Sequence, residues 1–203
     1  MIAIALAAAV VAQPTGTHLP PVPHTSSSVL LDARCEETEW RQASRTRIAG
    51  GTELLLQQDA AFLYLCVPLP PDSYGTMDLY VQSPASAMPF NLHASADVGE
   101  RQRTATGWPE WTFGNQRDWY SPPVPLRRAE VANNRPRLVF GAIEAREVAI
   151  RKSKFGDGPW RLMLELRALG PAKDGRLRYP ASAAVDAPAT WAVAPLAPPI
   201  RGH

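Results

Sequence analysis

Five aromatic side chains crowd one short stretch of this chain. Trp108, Trp111, Phe113, Trp119 and Tyr120 lie within 105–125, where no helix or strand period is visible and Gly107, Pro109, Gly114, Pro122 and Pro123 break the run. Rings carried on a loop can lie flat against the C–H faces of a pyranose while polar groups bond its hydroxyls. Such groups are interleaved here as Glu110, Asn115, Gln116, Arg117 and Asp118. Just upstream, 90–95 alternates so that Asn91, His93 and Ser95 share one face. The predicted ligand surface therefore consists of Trp108, Trp111, Trp119, Tyr120, Asn115, Arg117 and Asp118, joined by Asn91 and His93. The same rings can also fold back and bury one another as a satellite core. Spacing alone does not separate the two outcomes.

Groups for other chemistry are sparse. The chain lacks Gly-rich phosphate loops, Cys-X-X-Cys pairs, His-Glu-X-X-His and Gly-X-Ser-X-Gly. Of its four histidines, His18 and His24 fall in a Pro- and Ser-rich stretch and His203 is the last residue. That leaves His93 for acid–base work, and a single histidine is expected to be a hydrogen-bonding group. Glu36, Glu37 and Glu39 crowd one short helix, the pattern of a solvated face. The expectation is a protein that is not an enzyme, with no metal site and no cofactor. A haem-binding alternative rests on Met77, Met88 and His93, although Met77 falls on the apolar side of its strand. Lys and Arg number 21 against 19 Asp and Glu, so net charge +2 does not concentrate a polyanion and no nucleic-acid partner is expected.

The elements that must hold these groups are short. With 21 Pro and 13 Gly in 203 residues, long helices are interrupted too often to form. Strand-like runs fall at 29–32, 52–58, 61–67, 76–82, 90–95, 127–132, 138–144, 147–152, 160–169 and 190–194, with a short helix over 36–43. The runs 52–58 and 61–67 form a predicted hairpin. The alternation predicts Leu79, Val81, Leu92, Phe140, Leu162, Leu164 and Leu166 in the core, and a wet opposite face on 76–82. The fold class is all-β: an antiparallel two-sheet sandwich, jelly-roll-like, with one short helix and long loops.

Residues 2–12 are continuously apolar, and Val10 and Ala12 suit cleavage before Gln13, the pattern of a signal peptide over 1–12. Residues 13–28 are rich in Pro and Ser and are expected to be a disordered linker, followed by the domain over 29–197 and a disordered tail over 198–203. No apolar run reaches the ~20 residues needed to span a bilayer, so the mature protein is expected to carry no transmembrane segment and to be periplasmic or secreted. Cys35 and Cys66 are the only cysteines. They can form one bridge in an oxidising compartment, or sit as two buried thiols.

The order of motifs resembles a known family. Leu31 and Asp32, then Glu39 and Trp40, the polar turn ending at Gln58 and Asp59, and the aromatic–leucine strand 62–67 follow the progression of family 9 carbohydrate-binding-module-like domains. The wider DOMON-like sandwiches share it. Residues 75–81 look like the family's next strand and 160–166 like its late returning strand. The resemblance implies an exported β-sandwich that holds a glycan or oligosaccharide between aromatic rings without catalysis. A structural or partner-binding envelope module is the alternative, and a DOMON-type haem domain a more distant one.

Overall fold

Period-two alternation dictates which residues of each strand point inward, and in this computed structural model two antiparallel sheets close around those residues. The structure describes residues 16–114, 118–132 and 135–196; the expected signal peptide and the tail over 198–203 lie outside them. The first sheet runs in the order β1 (Ser44–Arg47), β2 (Glu53–Gln58), β3 (Phe62–Pro68), β11 (Ala145–Arg151) and β8 (Trp119–Tyr120). The second runs β13 (Gly175–Tyr179), β12 (Trp160–Leu169), β4 (Thr76–Gln82), β5 (Phe90–Ala94), β6 (Val98–Gln102) and β7 (Thr112–Phe113), with β14 (Ala192–Ala194) also on β12. A ribbon of β9 (Leu126–Ala132) and β10 (Arg135–Phe140) belongs to neither sheet. Two one-turn helices, α1 (Glu37–Trp40) and α2 (Lys152–Phe155), complete the elements used below. No described helix is long and apolar enough to cross a membrane.

Between the sheets lies one apolar layer. Leu54, Leu56, Leu63, Leu65, Val148 and Ile150 of the first sheet meet Met77, Leu79, Val81, Leu92, Leu162, Leu164 and Leu166 of the second. Phe140 is the exception among the expected core residues. The run expected over 138–144 is instead the end of β10, on the ribbon, so Phe140 is only half-buried against a separate small cluster of Ala33, Val124 and Ile143. Leu164 is 1% exposed, opposite Leu79 of β4. Replacing it with Ala is expected to cost about 2 to 5 kcal/mol, and a urea titration showing a loss below ~0.5 kcal/mol would place it outside the core.

Residues 16–28 are not a free linker. The segment lies extended along open strand edges, with bridges from His18 to Val193, Val22 to Leu196 and His24 to Gln58. β1 reaches only to Leu56, leaving the end of β2 unpaired, and Gln58 takes Pro23 and Thr25 as backbone partners instead. Leu19 and Val22 drop into the core. A Pro-rich stretch is already extended, so edge pairing and two apolar anchors are enough to order it.

The run expected as a strand over 29–32 has no ladder, because the Asp32 and Ala33 amides bond a buried side chain, Glu147. Cys35 and Cys66 are joined, with Cα atoms 6.1 Å apart, tying the segment before α1 to β3. By loop-closure entropy, Cys35→Ser with Cys66→Ser should lower stability by about 3 kcal/mol, measured against the oxidised parent in guanidinium.

Candidate functional site

Sheet register brings the polar residues of several strands together on the outer face of the second sheet. One row across β12, β4, β5 and β6 is Met163, Tyr80, Asn91 and Arg101. The next is Glu165, Asp78, His93 and Gly99, continued by Phe113 on β7. Gly99 has a steric purpose. A Cβ there would stand 2.8 Å from the Phe113 ring, so only glycine lets that ring lie across the sheet.

The predicted wet face of 76–82 is covered, and this corrects the alternation reading. Tyr80 is 4% exposed because Trp108 and Trp191 close over it with ring centres 5.6 and 5.7 Å away, and Asp78 is 3% exposed between His93 and Arg167. Trp191 is fixed by its Nε1, which donates to the Ala184 carbonyl at 2.8 Å. Arg101 lies over two indoles, its guanidinium carbon 4.1 Å from the Trp111 ring centre and 5.3 Å from that of Trp108. Beneath them Asn91 is fully buried, its Nδ2 turned to the Tyr80 hydroxyl and its Oδ1 without a hydrogen bond. Trp108 Nε1 and Arg101 Nε are likewise buried and unpaired. Unpaired groups of this kind are costly in a native core and mark a place where water or ligand completes them.

In the second row a hydrogen-bonded chain runs through His93. Its Nδ1 donates to Asp78 Oδ1 at 2.8 Å, and its Nε2 meets Ser95 Oγ at 3.0 Å. Arg167 holds the other carboxylate oxygen of Asp78. Burial first, then the positive charge of Arg146, holds the imidazole below its ordinary pKa against the opposing pull of Asp97. His93 is therefore neutral at pH 7, with Trp111 and Phe113 5.2 and 6.0 Å from its ring. Ser95 Oγ is also engaged by its own turn, accepting from the Asp97 amide at 3.3 Å. A groove of about 330 Å³ between β12 and β13, lined by Glu165, Arg167, Arg176 and Arg178, extends the face toward the sheet edge.

The aromatic loop does not act as one surface. It leaves the second sheet at β7 and reaches the first at β8, and the crossing divides its residues between the two. Trp108 and Trp111 stay over the outer face, beside Asn91 and His93. Trp119 is fully buried in the core, its Nε1 donating to Glu100 Oε2 at 2.8 Å, so it cannot be a ligand platform. Tyr120 is 44% exposed beside Phe62, and Asp118 pairs with Arg151 at 3.2 Å, both at the edge of the first sheet. Asn115, Gln116 and Arg117 lie outside the described residues. Met77 is in the core while His93 faces outward from the same sheet, and Met88 sits in the loop before β5, so the three do not converge.

Tyr80, Arg101 and Trp191 were not legible as site residues. Tyr80 was visible on the polar side of the 76–82 alternation, but β6 lacks an apolar period and Trp191 stands in the Ala- and Pro-rich tail. No family model, curated protein or solved structure matches this chain. The resemblance to family 9 carbohydrate-binding modules thus rests on its short motifs alone.

Proposed function

We propose that the chain is an exported, non-catalytic glycan-binding module of the family 9 carbohydrate-binding-module-like type, periplasmic or secreted. Its ligand lies on the outer face of the second sheet. The observation that carries this reading is the assembly around Arg101: partly exposed Trp111 and half-exposed Phe113 beside a buried Asn91 whose amide oxygen is unpaired. Aromatic faces next to unfilled hydrogen-bonding groups are what a sugar ring requires. The Cys35–Cys66 bridge supports export, since such bonds persist in oxidising compartments. In a glycan array on the full chain, Trp111→Ala is expected to weaken binding by about 10- to 100-fold, as for other central interface aromatics. No binding by the parent would favour the envelope partner-binding module instead.

One observation favours a second reading. The order Asp78, His93, Ser95 is that of an acid–base–nucleophile chain for acyl transfer. Against it, Arg167 shares the charge of Asp78 and the Asp97 amide already bonds Ser95. Labelling by a fluorophosphonate that disappears in Ser95→Ala would replace the non-catalytic reading. An unlabelled parent leaves the network as a support that orients His93.

A further inference from the structure

Resting on that reading, we infer that the sugar bound on this face is anionic, a uronic acid whose carboxylate is taken by Arg101. The unfilled groups are mostly donors. Trp108 Nε1 and Arg101 Nε lack an acceptor and Asn91 Oδ1 lacks a donor, while Asn91 Nδ2 is turned to the Tyr80 hydroxyl. A neutral sugar offers hydroxyls that both give and take, and would suit a balanced set. A carboxylate only accepts.

Charge points the same way. Three acids around the face are committed, Asp78 to His93 and Arg167, Glu165 to Arg178, and Asp186 to Arg103, while Asp97 near His93 and exposed Glu110 form no ion pair among the described residues. Among the described residues Arg101 forms no ion pair, its partners being the rings of Trp111 and Trp108 and the Tyr80 hydroxyl. A partly buried guanidinium without a counter-charge is costly to hold. With an indole against its face, its in-plane N–H edge is left to bond, and that edge matches the two oxygens of a carboxylate. His93, neutral and tied at both ring nitrogens, does not compete for the ligand charge.

The test is calorimetric titration of the full chain with tetramers of galacturonate, mannuronate and glucuronate, each beside its carboxyl-reduced counterpart. One acid should bind at least about tenfold more tightly than its reduced form, and Arg101→Gln should bring the two within about twofold. Asp118→Asn, at the edge of the first sheet, should leave both unchanged. If Arg101→Gln does not fold, Arg101→Lys keeps the charge but loses the fork, and should weaken the acid by about fivefold while changing the reduced sugar by less than about twofold. Equal binding of acid and reduced forms, both lost in Trp111→Ala, overturns the anionic ligand and leaves the glycan reading standing. An acid preference that survives in the folded Arg101 variant overturns it too. Binding of none of these probes, with a blank glycan array, overturns both.

Discussion

Replacing Glu147 with Ala is expected to destabilise the protein by about 3 to 5 kcal/mol, because a fully buried carboxylate there satisfies three N–H groups at once. Its Oε2 accepts from the Asp32 and Ala33 amides, both at 2.9 Å, and its Oε1 from Trp40 Nε1 at 3.2 Å. The residue thereby fastens the chain before α1, and the helix's buried Trp40, onto β11. Burial pushes this carboxyl up to about 7 from 4.5, against the pull of the same hydrogen bonds. The pH consequence follows from proton counting. Between these values the unfolded chain has released the proton that the folded chain keeps, so this group's contribution falls as pH rises from 4.5 to about 7 and is flat above. The fall is at most on the order of 3 kcal/mol. His93, with its lowered pKa, acts in the opposite sense, so the parent must be compared with Glu147→Gln. Urea titrations at pH 5 and pH 8 should show a larger loss in the parent than in the variant, and parallel losses would remove Glu147 as the cause.

Trp119→Ala should cost about 3 to 5 kcal/mol as well, whereas Trp111→Ala should cost under about 1 kcal/mol and act on binding. Trp119 is enclosed between the sheets, and its indole N–H donates to Glu100 beside Lys154 Nζ, which stands 2.6 Å from the same carboxylate oxygen. Deleting the ring leaves a cavity and removes a partner from that carboxylate together. Trp111 instead lies partly exposed on Arg101 and His93, outside the main core. Denaturation curves for both variants decide the matter. Equal losses would make Trp111 a structural ring and remove the platform from the proposed site.

Polar strands at or next to the sheet edges explain most of what was illegible in the fold. β1, β6 and β13 carry Arg, Glu and Gln at positions where a buried strand would carry Leu, so no apolar period announces them. Their place is set by a neighbour's free backbone groups. The helix α2 begins at Lys152, the last residue of the run 147–152 expected as a strand, and no apolar period announces it.

Residue order by itself determined the central strands. Alternation over 76–82, 90–95 and 160–169 named the strands and their inward leucines, since a period of two with one buried face admits a single register. It also named Asn91, His93, Trp108 and Trp111 as site groups from their types. Only the tertiary structure decided which of those groups meet. β7 lies in the second sheet and β8 in the first, so Trp111 stays outside while Trp119 is enclosed. Arg101 reaches the site through ladder pairing with Asn91. Trp191 reaches it because β14 lies on β12, carrying residues far apart in the chain onto one face. Such placements depend on partners tens of residues distant, and a local pattern holds no record of them.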